Sequence, residues 1–332
     1  MKRSQYLFSS GKLSRKDNTI CFKTKDGKKG YIPVENTEEI FCFGEVSLSK
    51  KVLELFTQKE IIMHYYSYYG YYMGTFYPRE HYNSGYMILK QVEHYMDDVK
   101  RLTLAKKFVS GSAENILKVL TYYDNRDKAI LNETIGTINE LLFIMDKCET
   151  VNELMSLEGR IREMYYSMWD SIIQKDDFKF EARTRRPPKN YINALISFGN
   201  SILYTVVLGE IYKTHLDPRI GYLHTTNDRR FTLNLDIAEI FKPILVDRTI
   251  FTLLNKGELS PKHFIHELNG VMLNENGRKV FLKHWDERLK QTVKHGKLKR
   301  SVSYRRLIRM ECYKIEKHIM GEKLYKPFIS YW

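Results

Sequence analysis

The chain is poor in cysteine. It has four in 332 residues, Cys21, Cys42, Cys148 and Cys312, and no C-x-x-C pair among them. That spacing argues against a zinc ribbon and a disulfide framework, and it fits a reducing cytoplasm. Long hydrophobic runs are also missing. No stretch approaches the ~18 uninterrupted apolar residues of a membrane span, and the opening MKRSQYLFSSGK lacks the apolar core of a signal peptide. No internal repeat is visible. The expectation is a cytoplasmic chain without a membrane partner.

What is present is an ordinary core and an excess of positive charge. Hydrophobic residues make up 43% of the chain, enough for one large or two medium domains. Lys and Arg number 54 against 40 Asp and Glu, a net charge of +14. Such a balance favours a polyanionic partner, either nucleic acid or a membrane surface.

The pattern divides the chain into a small N-terminal β-sheet domain over residues 1–80 and a large all-α domain over 86–332, an α+β organisation. The short runs Gln5–Phe8, Thr19–Lys23, Gly30–Pro33 and Glu39–Phe43 are separated by Gly, Asn and Asp turn residues. Asp26-Gly27 is placed for a tight hairpin. Ser49 stands where it would cap a helix containing Val52, Leu53, Leu55 and Phe56, with a strand at Ile61–Tyr65 beyond. The Tyr-rich stretch from Tyr65 to Gly74 reads either as a strand end and turn or as a stacking platform for nucleobases. After Tyr86 the apolar residues recur at helical spacing, over Ala113–Tyr123, Ile135–Met145, Val151–Ile173, Tyr191–Tyr212 and Asp247–Leu254.

Three segments hold candidate chemistry. Glu158, Arg162 and Tyr165 share one helix face by i, i+4, i+7 spacing, where the plain alternative is a surface ion pair. His224 follows an Asp217-Pro218 turn and Gly221 at the edge of a polar loop, where a histidine is either a ligand or a local hydrogen-bonder. Phe231–Phe241 reads as an apolar helix ended by Pro243, with Asp236 and Glu239 three apart on one face. Two such carboxylates require compensation by a basic group, with Arg229, Arg230 and Arg248 near in sequence, or by a divalent metal. One imidazole and several carboxylates make a mixed N/O set suited to Mg²⁺ or Mn²⁺, ions that serve phosphoryl transfer.

Taken together, four blocks resemble the CRISPR-associated endonuclease family, the integrase found alongside CRISPR arrays. They are Glu158-Gly159 to Tyr165; Arg186-Pro187-Pro188 through Asn193 to Gly199; Leu216-Asp217-Pro218 to Gly221-Tyr222-Leu223-His224; and Leu235-Asp236-Ile237-Ala238-Glu239 to Pro243. Tyr6-Leu7-Phe8 with Gly11, and Gly321-Glu322 with Tyr325-Lys326-Pro327-Phe328, extend the likeness to both ends. The resemblance implies an N-terminal β domain used in dimerisation, a helical catalytic domain and an asymmetric homodimer. It also implies a small ferredoxin-like adaptation partner flanked by two such dimers. It assigns the metal to Glu158, His224 and Glu239, where Glu239 stands at a position often occupied by Asp. Asp236 matches a supporting acid, and Tyr165 a tyrosine near the site with no nucleophilic role.

The reaction the resemblance implies is transesterification. A 3′-hydroxyl of a captured DNA duplex attacks a phosphodiester at a repeat boundary, while water in its place gives nuclease activity. Either Asp236 or solvent accepts the proton. A double-stranded DNA partner also has support in the charge distribution: residues 288 to 332 carry thirteen Lys or Arg against three Glu. Arg305, Arg306 and Arg309 lie there, after Lys297, Lys299 and Arg300. A second cluster holds Arg183, Arg185 and Arg186, and Arg229, Arg230 and Arg248 add to the expected DNA contacts. Two other functions fit the same residues: a basic nucleic-acid-binding scaffold without catalysis, and a metal-dependent nuclease that never integrates.

Overall fold

The structure, a computed structural model, describes residues 2–78, 82, 84–126, 131–225, 231–267, 269–296 and 299–331. It divides into two units, Met1–His81 and Tyr82–Trp332. Arg229, Arg230 and Lys297 lie outside the described residues.

The first unit is built from short strands whose apolar side chains meet between two sheets. In order they are β1 (Arg3–Leu7), β2 (Gly11–Lys16), β3 (Thr19–Thr24), β4 (Lys29–Ile32), β5 (Thr37–Cys42), β6 (Val46–Leu48), helix α1 (Lys50–Lys59), β7 (Ile62–Tyr66) and β8 (Tyr72–Phe76). One sheet runs β1-β5-β7-β8, with the first three strands parallel; the other runs β4-β3-β2-β6. Leu13, Ile20, Ile40, Leu55, Phe56 and Met63 are fully enclosed in the core they share. Gly27 makes the turn between β3 and β4 with φ near +88°, a conformation that costs glycine least. Ser49 does occupy the N-cap of α1, but its side chain makes no capping bond. The Tyr-rich stretch is the β7–β8 hairpin, with Tyr66 buried and Tyr68 exposed.

The second unit is largely helical. Its first helices are α2 (Gly85–Met96), α3 (Asp98–Asp124), α4 (Asn132–Met145), α5 (Val151–Ser167) and α6 (Trp169–Ile173). Then come α7 (Tyr191–Ile211), α8 (Leu233–Phe241), α9 (Arg248–Asn255), α10 (Glu275–Lys290) and α11 (Tyr304–Ile319). Side chains that accept a backbone N–H begin six of these: Ser84, Asp97, Thr150, Asn190, Asn274 and Ser303. The run expected as one helix over Val151–Ile173 breaks at Met168 into α5 and α6. Pro243 does not stop the chain's helical path after α8. It ends the regular α-helix because it lacks an N–H, and a wide π turn, Lys242–Asp247, carries on into α9. Two ribbons also interrupt the helices, β9 (Phe264–Glu267) with β10 (Gly270–Leu273), and β11 (Thr292–His295) with β12 (Arg300–Ser303).

Helix α3 is the centre of this unit and packs on α4, α5, α8 and the π turn. Helix α7 is long and apolar enough to cross a membrane by length and composition, yet 78% of that stretch is buried. It closes on the π turn at Gly199, where a Cβ would stand 2.5 Å from Val246 Cγ1, so only glycine permits that approach. Asn115 of α3 donates to the carbonyls of Ile240 (2.9 Å) and Phe328 (3.0 Å) and accepts from the Ser330 N–H (2.8 Å). The C-terminal Tyr325–Phe328 block is thereby tied to the same asparagine as α8.

Candidate functional site

The loop that carries His224 is held against α8 by one carboxylate. Asp236, fully buried in the first turn of α8, accepts the backbone N–H groups of Tyr222 (2.6 Å), Leu223 (3.0 Å) and His224 (3.0 Å). It also lies 2.8 Å from His224 Nδ1. A carboxylate facing Nδ1 puts the proton there and leaves Nε2 as the open nitrogen. Gly221 allows this closeness, since a Cβ there would meet the Thr232 backbone at 2.8 Å and Asp236 Oδ2 at 2.9 Å. Two helices grip the loop from outside. Gln91 of α2 exchanges bonds with the backbone of Asp217 (2.7 and 3.1 Å), and Arg101 of α3 donates to the Tyr222 carbonyl (3.1 Å).

One turn further along α8, Glu239 is also buried. His224 Nε2 lies 3.9 Å from its Oε1. Of the bases expected to compensate, Arg229 and Arg230 lie outside the described residues, and the cations seen on Glu239 come from the π turn and from α5. Lys242 of the π turn bonds Oε1 of Glu239, and Arg162 of α5 bonds Oε2. Arg162 also donates from Nε to Glu158 Oε1 at 2.8 Å and from Nη2 to Ser112 Oγ at 3.1 Å, while its Nη1 is buried with no partner among the described residues. Arg248 instead stacks on the Tyr122 ring, 4.2 Å from its centroid.

The charges in this cluster follow from these contacts. Burial alone would raise the Glu239 carboxyl, but Lys242, Arg162 and His224 outweigh it and hold the pKa at about 2. Burial works against the charged imidazole of His224, yet Asp236 and then Glu239 prevail and raise its pKa. Asp247, at the end of the π turn, is pushed up by burial to about 7 even though Arg162, Tyr165 and Lys242 pull it down.

Glu158, His224 and Glu239, remote in sequence, are linked in a chain: His224 Nε2 lies 3.9 Å from Glu239, and Glu239 shares Arg162 with Glu158 while Lys242 bonds its other oxygen. Among the described residues no three acids, imidazoles or thiols stand together as a ready metal cluster. Arg162 bridges Glu158 to Glu239, so the acids share a cation of the protein's own. Tyr165 is wholly enclosed, with its hydroxyl facing Asp247 and its pKa raised, chiefly by burial, well above the usual phenol range. It is positioned to pack and not to attack. Lys242, Ser112, Gln91 and Asp247 escaped the sequence reading. Only Lys242 left a signal there, as a base three residues after an acid on an apolar helix.

The expected DNA contacts separate by environment. Arg185, Arg186, Lys299, Arg300 and Arg306 are exposed. Arg183 is turned inward onto Asn193 Oδ1 (2.8 Å) and Ser197 Oγ (3.1 Å) of α7. Arg309 donates to buried Glu210 at 2.6 Å, and Arg305 stands 3.7 Å from the same carboxylate.

Comparison with known proteins sets this geometry in context. Residues 5–287 match the family model described as CRISPR associated protein Cas1. A CRISPR-associated endonuclease Cas1 of Thermodesulfovibrio yellowstonii is 60% identical over 332 residues, covering 100% of both chains. The solved structure of a CAS1 protein from Thermotoga maritima superposes with a TM-score of 0.87 at 49% identity, over 98% of this chain and 99% of that one. A casposase bound to integration product shares the fold, with a TM-score of 0.88 at 18% identity over 99% of this chain and 93% of that one.

Proposed function

Because the chain belongs to the Cas1 family, we propose that it is a divalent-metal-dependent DNA endonuclease and integrase of CRISPR adaptation. The observation that supports this reading is the link between the three residues: Glu158 and Glu239 share Arg162, and His224 Nε2 stands 3.9 Å from Glu239. Carboxylate oxygens and an imidazole nitrogen are the donors Mg²⁺ and Mn²⁺ prefer. The set fits such an ion once Arg162 releases Glu158 and Glu239 and Lys242 releases Glu239. Bound there, the ion would neutralise charge on the scissile phosphate and lower the pKa of the attacking hydroxyl.

The chain's own residues do the rest. Asp236 fixes the tautomer and direction of His224, so that Nε2 faces the site. Its oxygens are taken by three backbone N–H groups and the imidazole. It orients and does not receive the proton, which passes to solvent. Lys242 and Arg162 are the positive groups available to a phosphate oxygen. In the joining reaction a 3′-hydroxyl oxygen of the captured duplex bonds to the phosphorus at the repeat's 5′ end as the bond to the 3′ oxygen of the flanking nucleotide breaks, and that oxygen takes up a proton from solvent. Water in place of that hydroxyl gives strand cleavage. A second copy of the chain, acting through the N-terminal unit, and a small ferredoxin-like protein complete the assembly in this reading.

The test is strand transfer. The chain, its small partner, a short duplex and a repeat-containing plasmid are incubated with Mn²⁺ or Mg²⁺, and half-site joining is read on a gel. We expect joined product, its loss by more than about 100-fold in Glu158→Gln and His224→Ala, and no joining from a donor lacking its 3′-hydroxyl. Full activity in Glu158→Gln would refute the site, and cleavage without joining would leave a plain nuclease.

A further inference from the structure

The carboxylates at this site are matched by bases of the chain itself. Glu158 and Glu239 are paired with Arg162 and Lys242, while Asp236 is committed to the His224 loop. Neither base is free to retreat into water, since the side chains of Arg162 and Lys242 are only 11% and 9% exposed. A divalent ion arriving alone would add two positive charges beside these two, in a buried setting where repulsion is poorly screened. A phosphodiester brings the opposite charge and two unesterified oxygens. Arg162 is equipped to accept them: Ser112 already anchors its Nη2, and its Nη1 has no hydrogen-bond partner among the described residues.

We propose that Arg162 and Lys242 are displaceable internal cations, which hold the carboxylates until metal and a DNA phosphate enter together. On entry, Glu158 and Glu239 pass from the guanidinium and ammonium groups to the metal, and the two freed bases turn to the phosphate. The proposal rests on the reading of Glu158, His224 and Glu239 as metal ligands. Its consequence is reciprocal: DNA raises the affinity for metal by the same factor as metal raises the affinity for DNA at this site. The apo protein is thereby guarded against unproductive metal loading, and metal-dependent cleavage is confined to DNA-bound copies.

Free Mn²⁺, measured by its electron paramagnetic resonance signal, tests this without reference to activity. The full chain is titrated with and without a short DNA duplex, and the duplex alone serves as the blank for Mn²⁺ bound by DNA itself. The wild type should bind Mn²⁺ about tenfold more tightly with DNA than without. Arg162→Gln, which removes the charge but retains hydrogen-bonding groups, should bind Mn²⁺ about tenfold more tightly than wild type in the absence of DNA, and gain little from adding it. Lys242→Gln should behave alike and carries the test should Arg162→Gln fail to fold. Equal Mn²⁺ affinity with and without DNA in the wild type, or weaker binding in both charge-removed variants, would overturn the coupling. Retention of Mn²⁺ by Glu158→Gln would overturn the ligand assignment beneath it. Loss in Glu158→Gln, with Arg162→Gln and Lys242→Gln no tighter than wild type, would overturn the coupling alone.

Discussion

At Asp247, burial opposes ionisation more strongly than its neighbours favour it. Its carboxyl titrates near 7 in the folded chain, against 3.8 for a free aspartate. The folded state therefore keeps the proton longer than the unfolded one. The stabilisation is complete below the unfolded pKa and is lost as the pH rises through about 7. Asp247→Asn keeps the shape and removes the ionisation. Between pH 5 and pH 8 the wild type should lose about 1–3 kcal/mol more unfolding free energy than this variant does, measured by urea denaturation. Matching slopes would mean that the carboxyl is ionised throughout. The sequence made part of this neighbourhood legible. Asp236 and Glu239 at i, i+3 on an apolar helix announced a need for positive charge. They did not say that it would come from Arg162, 77 positions earlier in the chain, because no local spacing encodes a pairing between α5 and α8, two helices that each pack on α3.

Among the helices, the link between α7 and α11 depends on Glu210. It is nearly fully buried, 2.6 Å from Arg309 and 3.0 Å from Lys213. Such a carboxylate is costly to bury and costlier to leave unpaired, so both sides must be present. Arg309→Ala should destabilise the protein by about 2 kcal/mol in thermal or urea unfolding, whereas Arg306→Ala, on the exposed side of the same helix, should change stability by less than about 0.5 kcal/mol. Equal effects would show the ion pair to be incidental. At this scale the helices were readable from their apolar spacing and the sheet unit from its turn residues. The ribbons β9–β10 and β11–β12 were not, since four-residue strands are too short to display a period. Helical spacing also placed Arg305, Arg306 and Arg309 in one cluster but could not reveal that a buried acid on another helix would claim two of them.

For the molecule as a whole, the net charge of +14 is a statement about encounter with polyanions, and the positions of the bases decide which of them take part. Lys299 and Arg300 stand exposed at the β11–β12 ribbon, while Arg309 is held by Glu210. Removing Lys299 and Arg300 together should lower the slope of log binding constant against log salt by about 2 on duplex DNA, close to one per lost phosphate contact. Arg309→Ala should leave that slope unchanged. Fluorescence anisotropy across a salt series reads both, and an unaltered slope in the double variant would remove the ribbon from the DNA footprint.

The clasp formed by Asp236 has a further consequence, for the order in which the site comes into being. A single side chain on α8 supplies the hydrogen-bond acceptors for three successive amides of the His224 loop. The loop has no comparable anchor until the first turn of that helix exists, and without the loop the helix would bury a carboxylate with nothing to satisfy it. Each half makes the other affordable. The His224 loop and acidic helix must then arise in one cooperative folding event, so a partly formed population holding one without the other is disfavoured from both directions.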